Sequence, residues 1–260
     1  MNEFLRQSIE YASQRSYLDD LFCVYPTIPN GIRGINKKAW VNVEQAFKRQ
    51  DNTALIMHLL DFELFPIKDS YVAFLKHDRK SIERNPKTIN RLAGEIYDLG
   101  LDKLYENCSK PKETNRQIGP MFKRWIENKS LGIKPVSMDE FAHSREDAIF
   151  NGSDREMKDF AREQLNYQHE KGLDFLGRFH GKYIIGEAKF LSDFGGHQNA
   201  QISDALSTIN ANVNAIKVAI LDGVCYIKGN NKMYQTITTK YSNCNIMSAL
   251  LLRNFLYSIH

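Results

Sequence analysis

Several features that mark other protein classes are missing from this 260-residue sequence. No run approaches the roughly 18 apolar residues that a membrane-spanning helix needs. The first twenty residues lack the basic-then-apolar order of a secretory signal. We therefore expect a soluble intracellular protein that has no membrane partner.

Cysteine is scarce, and two common nucleotide-binding motifs are absent. The four cysteines are widely spaced and include no CxxC pair, which argues against a zinc site and against a disulfide framework. No GxxxxGK[ST] stretch indicates an ATP motor, and no GxGxxG stretch indicates a dinucleotide fold. We expect no nucleotide cofactor.

Charge is nearly balanced along the whole chain but not locally. The net charge of +4 permits nucleic-acid binding without requiring it. Residues 110–134 are more basic, with seven Lys or Arg against two Glu. Such a run is as often a solvated face as a surface for DNA, and both interpretations stay open at this point.

The apolar pattern predicts a helical first part. Helical spacing continues over residues 41–65 until Pro66 stops it. A further helix is predicted from Pro86, a good first-turn residue, with Gly94 and Gly100 weakening or segmenting it. We expect residues 1–150 to form a mainly helical region.

Residues 151–260 are predicted to form a mixed α/β domain. Between residues 153 and 257 the predicted order is helix, strand, strand, helix, strand, strand, helix. The first helix opens with Ser153 and Glu156 at capping-box spacing. The last strand pair is predicted as a hairpin that turns at Asp222-Gly223.

Two acids and one base stand among apolar residues in "GLDFLGRFHGKYIIGEAKF", residues 172–190. If His180-Gly181 is a two-residue loop, opposed residues have numbers that sum to 361, which places Asp174 opposite Glu187. Lys189 shares the face of Glu187 because side chains alternate along a strand. The sequence therefore predicts three charged groups on one face of a hairpin.

Opposed carboxylates repel, and apolar neighbours such as Leu176 and Ile185 strengthen the repulsion. Either one carboxylate takes up a proton, or a divalent cation lies between the two. Oxygen ligands in a small cluster suit Mg²⁺. The plain alternative is a cross-strand ion pair of Lys189, and such pairs contribute about 0–1 kcal/mol at a surface.

Asp174, followed by Glu187-Ala188-Lys189 on the next strand, resembles the PD-(D/E)xK nuclease superfamily. The segments "LSDFGGHQNAQISDAL" and "AILDGVCYI" are more specifically similar to type II restriction endonucleases. The resemblance covers about residues 150–257, with Leu173 in place of the proline in the family's name. It implies an α/β (α+β) fold with a restriction-endonuclease-like core, in which helices flank a central mixed sheet. Residues 151–260 would then be the catalytic core, and the helical region 1–150 would carry DNA-recognition elements.

The resemblance implies a role for each residue of the motif. Asp174 and Glu187 would ligate Mg²⁺, with the carbonyl of Ala188 as a third ligand. Lys189 would orient the attacking water or help to deprotonate it, and would stabilise the reacting phosphorus centre.

Members of this superfamily often add an acid from the preceding helix. Glu163 is the first candidate and Asp159 the second, although a solvated face competes with that role for Glu163. Gln198 and Gln201, three residues apart on one predicted helical face, would steady the site or contact the DNA backbone. Surface polar residues are the alternative interpretation for both glutamines.

We therefore expect a Mg²⁺-dependent type II restriction endonuclease of the prokaryotic cytoplasm, acting as a homodimer on a short site in double-stranded DNA. Two identical active sites related by a two-fold axis cut both strands of a palindrome. Side-chain chemistry assigns base edges to Arg116 and Gln117, and phosphates to Lys112, Lys123 and Arg124.

Other functions compete with this prediction. A repair or transposon-end nuclease could use the same core. A DNA-binding module without catalysis would use the three charged residues only as a structural network. A glycosidase-like carboxylate pair would not need the adjacent lysine.

Overall fold

The computed structural model describes residues 1–26, 34–110 and 117–260. Within this part the chain has fourteen α-helices and a five-stranded mixed sheet, and the predicted α+β class is confirmed. None of these helices combines the length and the hydropathy needed to cross a lipid bilayer.

The helices and strands are numbered in chain order. The helices are α1 (Glu3–Tyr11), α2 (Tyr17–Val24), α3 (Lys37–Lys48), α4 (Asn52–Leu60), α5 (Tyr71–His77), α6 (Ser81–Arg84), α7 (Pro86–Leu99), α8 (Leu101–Cys108), α9 (Ile118–Glu127), α10 (Met138–His143), α11 (Asp154–Leu165), α12 (Gly196–Asn210), α13 (Lys232–Thr238) and α14 (Ala249–Tyr257). The strands are β1 (Ala148–Ile149), β2 (Phe175–Phe179), β3 (Lys182–Leu191), β4 (Ile216–Gly223) and β5 (Ile246–Met247).

The chain forms two compact units. One consists of Met1–Thr27 together with Glu113–His260, and the other is Ile28–Lys112. The first unit holds the whole sheet, and the second is helical around its own apolar cluster. The division into 1–150 and 151–260 concerns function and stays a prediction.

The sheet changes from antiparallel to parallel pairing at β3. Its strand order is β1-β2-β3-β4-β5, with β2 antiparallel to β1 and β3, and β4 parallel to β3 and β5. A parallel pair needs a long crossover connection, which α12 supplies between β3 and β4. Apolar clusters cover both faces, so the central strands are buried.

Several local predictions agree with the structure. The helix predicted from Pro86 begins there as α7 and ends before Gly100, whose φ of 80° separates it from α8. The capping box is present, since Ser153 N–H donates to Glu156 and Glu156 N–H donates to the Ser153 hydroxyl. The helix expected after the two glycines is α12.

The continuous helix predicted over residues 41–65 was wrong. α3 ends at Lys48, and Gln50 takes a left-handed conformation with a φ of 56°. Asp51 then caps α4, because its carboxylate accepts from Ala54 N–H. Apolar periodicity continues across this break because both helices face the same cluster.

The hairpin predicted at Asp222-Gly223 was also wrong. These residues end β4, and a short 3₁₀ turn at Val224–Tyr226 follows in place of the expected strand. Gly223 has a φ of 90°, and a Cβ there would lie 2.1 Å from the carbonyl oxygen of Leu191. The glycine is needed for this close approach to β3 and not for a two-residue turn.

Asp222 is fully buried and joins four segments of the first unit. Its carboxylate accepts from the Tyr25 hydroxyl at 2.9 Å, from the Ser248 hydroxyl, and from Ala249 N–H at 3.2 Å. Ser248 N–H in turn donates to the Ser8 hydroxyl oxygen at 2.9 Å. Burial raises the pKa of Asp222 to about 7 in spite of these donors.

We expect the free energy of unfolding to fall as pH rises from about 4 to 7, by up to about 4 kcal/mol from Asp222 alone. The folded pKa of about 7 lies above the ordinary value of 3.8, so the folded state holds the extra proton in this window. Asp222→Asn should flatten the profile, measured by urea unfolding at several pH values. The exposed control Asp102→Asn should keep the wild-type slope, and an unchanged slope in Asp222→Asn would contradict the assignment.

Candidate active site

The predicted register of the β2–β3 hairpin is present. Pairing runs from Phe179↔Lys182 to Phe175↔Gly186, which matches the expected sum. The ladder stops one residue before the predicted Asp174–Glu187 pair, and Asp174 N–H instead donates to the Gly186 carbonyl at 3.0 Å. Asp174 therefore lies at the open end of the hairpin, directly before β2.

Lys189 brings the two acids together. Its Nζ lies 3.2 Å from Asp174 Oδ2 and 2.6 Å from Glu187 Oε1. Asp174 Oδ2 also accepts from Ala188 N–H at 2.9 Å. The three side chains are only 10–23% exposed, so these ion pairs lie largely out of solvent.

Burial and like charge raise the pKa of Glu187 to about 7, and the ammonium of Lys189 offsets only part of that shift. Burial works against the charge on Lys189, but the carboxylates of Asp174 and Glu187 outweigh it and raise its pKa. The ammonium therefore offsets part of the repulsion, and its pairing with both acids is also the contact that the alternative interpretation, an ion pair of Lys189, expects.

A tight contact between the segment before β2 and the start of α11 fixes the approach of the chain to Asp174. Leu173 N–H donates to the carbonyl oxygen of Asp154 at 3.2 Å. A Cβ on Gly172 would lie 2.8 Å from the Cβ of Asp154, so only glycine fits without a shift. Asp174 is thus held beside the first turn of α11.

Asp154 is the acidic neighbour that sequence reasoning missed. Burial, and then the charge of Asp174, raise its pKa. Both acids line a cavity of about 430 Å³, together with Lys123 and Arg124 of α9. Periodicity located α11 correctly, but it does not say which end of a helix meets the sheet.

The acids proposed from the sequence lie elsewhere on α11. Glu163 and Asp159 line a different cavity together with Tyr183, and none of the three motif residues lines it. Their participation in the site stays a prediction.

The two glutamines have different surroundings. Gln198 is buried and exchanges hydrogen bonds with Ser192, accepting from its N–H and donating to its hydroxyl. Gln201 lines a cavity of about 210 Å³ with Asp174, Ala188 and Lys189. The position of Gln201 suits a contact with a bound substrate, whereas Gln198 braces the segment between β3 and α12.

The basic residues assigned to DNA are only partly described. Lys112 and Arg116 lie outside the described residues, and Gln117 is buried directly before α9. Lys123 donates to the Gly152 carbonyl at 2.9 Å, and Arg124 is exposed at the cavity that contains Asp174. Lys123 and Arg124 are therefore near the motif, and their contact with DNA stays a prediction.

In the described part of the chain, no three His, Cys, Asp or Glu side chains group closely enough to hold a metal ion. The donors at the motif are two carboxylates, with the Ala188 carbonyl as the third ligand that the family resemblance implies. All of these are hard oxygen ligands, which suit Mg²⁺ better than a softer metal.

Comparison with known proteins gives a match over nearly the whole chain. The model of a family described as Tsp45I type II restriction enzyme matches residues 2–259. No curated protein and no solved structure matches the chain.

Asp174→Asn should lower the pKa of Glu187 from about 7, because it removes the neighbouring negative charge while burial remains. Carboxyl ¹³C NMR titration of the metal-free protein measures the change. Glu163→Gln is the matched control on the other cavity, and it should leave the Glu187 titration where it is. An equal shift in both variants would contradict the local electrostatic coupling.

Proposed function

The chain belongs to the Tsp45I type II restriction enzyme family, and we propose that it hydrolyses phosphodiester bonds at a short specific sequence in double-stranded DNA, using Mg²⁺ at Asp174 and Glu187. The expectation of a type II restriction endonuclease is confirmed, and the protein is a site-specific deoxyribonuclease that acts on DNA. The metal, the residues and the assembly are the parts that we propose.

The arrangement of Asp174, Glu187 and Lys189 is the observation that carries this proposal. Two acids and one lysine converge from a hairpin in the order of the PD-(D/E)xK motif, and Asp174 and Lys189 border open cavities. A purely structural ion pair would not need a second carboxylate beside the first.

The donor set fits Mg²⁺. Asp174 and Glu187 would hold it, with the Ala188 carbonyl as a third oxygen donor. The raised pKa of Glu187 supports a cation site, because a divalent charge would offset the repulsion that Lys189 offsets only in part. When bound, Mg²⁺ supplies Lewis-acid stabilisation of the charge that develops on the phosphoryl oxygens.

Lys189 is proposed to orient the attacking water and to stabilise the phosphorane-like transition state. Its raised pKa keeps it as an ammonium, which donates hydrogen bonds and cannot accept the water proton. In the hydrolysis the water oxygen bonds to phosphorus and loses a proton to solvent, and the bond from phosphorus to the leaving oxygen breaks as that oxygen takes up a proton from solvent. Of the two roles predicted for Lys189, orientation is therefore favoured over deprotonation.

Lys123 and Arg124 are proposed to contact phosphates next to the scissile bond. Both line the cavity shared by Asp174 and Asp154. Two acids in one cavity would repel a phosphate, and basic side chains on the facing helix offset that repulsion.

A homodimer is proposed because both strands of the duplex must be cut, whereas each chain carries a single copy of the motif. A two-fold axis relates two such sites to the two strands of a palindrome.

Lys189→Ala should reduce plasmid cleavage in Mg²⁺ by at least about a hundredfold, since it removes a preorganised donor at the reacting phosphate. Discrete bands from the wild-type protein, lost on adding EDTA, are the expected pattern on agarose gels. Lys182→Ala is the matched control, because Lys182 is an exposed lysine at the other end of the same strand.

Two results would count against this proposal. Absence of cleavage by wild-type protein in every divalent metal would favour a DNA-binding module in which the three residues are only a structural network. Random nicking without discrete bands would favour a repair or transposition nuclease.

Analytical ultracentrifugation should give about twice the mass of the 30.1 kDa chain at micromolar concentration. Mixing wild-type protein with excess Lys189→Ala should then produce nicked circles, because mixed dimers have one active site. A monomeric mass, with linear product forming directly from mixtures, would contradict the homodimer.

A further inference from the structure

Two cavities of the first unit open beside the motif. The larger, of about 430 Å³, is lined by Lys123 and Arg124 of α9 together with Asp174, and we call it the α9 cavity. The smaller, of about 210 Å³, is lined by Lys189 of β3 and Gln201 of α12, again with Asp174, and we call it the β3 cavity. Asp174 therefore borders both spaces.

Gly119, the second residue of α9, is the other described residue that lines both cavities. It is exposed, and a Cβ at this position would have no atom from another part of the fold within 4 Å. A side chain at residue 119 would therefore extend into the open space beside the two cavities.

In the described part of the chain, neither backbone conformation nor packing requires glycine at position 119. Gly119 lacks the positive φ of Gly100 and Gly223. Its surroundings also differ from those of Gly172, where a Cβ would lie 2.8 Å from Asp154. Glycine within a helix costs up to about 1 kcal/mol relative to alanine. The missing side chain therefore points to a molecule that uses the space next to it.

We propose that the DNA strand that is cut passes over Gly119 between the two cavities. The nucleotide on one side of the scissile phosphate lies in the α9 cavity, and the nucleotide on the other side lies in the β3 cavity. The reacting phosphate lies between them, beside Asp174 and Lys189. The inference rests on the proposed function and deepens it, since it gives the path of the same substrate.

The shape of the site favours a continuous strand over a mononucleotide. A strand continues past the cleaved bond in both directions, so its site needs space on two sides of Asp174. The α9 and β3 cavities supply these two spaces, and Gly119 borders both. A mononucleotide or a free phosphate would need only one of the two cavities.

Charged side chains limit where a backbone phosphate can lie in the α9 cavity. This cavity has more acids than bases, and its lining includes Asp154, Asp174, Glu127, Lys123 and Arg124. The acids repel a phosphate, so it must lie against the two bases, whose charges offset that repulsion. Lys123 already donates to the Gly152 carbonyl, so the exposed Arg124 is better placed to reach the phosphate.

Gly119→Leu should weaken DNA binding by about tenfold and slow cleavage by about a hundredfold, because leucine would occupy the path of the strand and displace the reacting phosphate. Binding is measured by fluorescence anisotropy with a labelled plasmid fragment in Mg²⁺, in a Lys189→Ala background that holds DNA without cutting it. Cleavage of the same fragment is measured with Lys189 present. Gly119→Gln, of similar length but polar, should show the same losses, and Gly119→Ala smaller ones.

Gly94→Leu is the matched control. Gly94 also lies within a helix, α7, and a Cβ there would likewise have no neighbour within 4 Å, but Gly94 lines neither cavity. This variant should bind and cut like wild type. Circular dichroism and urea unfolding check the folding of all variants. The Glu187 titration in Gly119→Leu should match that of wild type, because the charges of the motif stay in place.

Ethylation interference tests the path of the strand directly. In complexes of the Lys189→Ala protein with Mg²⁺, ethylation of phosphates on both sides of the cut should block binding. Adding Arg124→Ala should remove the interference on one side only, and adding Gln201→Ala should remove it on the other side only, because these side chains line different cavities.

Wild-type binding and cleavage in Gly119→Leu and Gly119→Gln would overturn the inference. Interference lost on the same side of the cut in both the Arg124→Ala and the Gln201→Ala protein would also overturn it. Failure of the proposed function looks different, since wild-type protein would then cut in no divalent metal, while the effect of Gly119→Leu on DNA binding would still be measured.

Discussion

The first unit is organised around a single ammonium group between two poorly solvated carboxylates. Unit charges 4 Å apart interact by about 4 kcal/mol at an effective dielectric constant of 20. Without Lys189, the repulsion between Asp174 and Glu187 would act at the open end of the β2–β3 hairpin. The hairpin register and the tight contact at Gly172 hold the backbone that carries these groups.

Asp222 shows a second way to keep an acid inside the same unit. Burial raises the pKa of both Asp222 and Glu187 to about 7. Neutral hydroxyl and amide donors surround Asp222, which is fully buried, whereas Glu187 has a cation as its partner. A perturbed pKa therefore does not identify an active site by itself. Glu187 differs from Asp222 because its partner is charged and because cavities lie nearby.

The two-residue alternation of apolar side chains and the turn residues were enough to predict the β2–β3 hairpin and its register, because both depend on neighbours in sequence. The same reasoning failed at Asp222-Gly223, where the glycine serves a close contact with Leu191, more than thirty residues earlier. It named Glu163 and Asp159 of α11 and did not consider Asp154, whose place in the same cavity as Asp174 depends on tertiary packing. Local rules thus located the motif, but they did not identify its acidic neighbour.

The contact between Ser8 and Ser248 affects when the first unit can fold during synthesis. These residues are 240 positions apart, and Phe4 packs edge-on against Phe255 of the last helix. Contacts of such high sequence separation are costly to close and form slowly. During synthesis, the unit that carries the motif must wait for α14 to leave the ribosome before its core closes, whereas the helical unit Ile28–Lys112 has all of its residues much earlier.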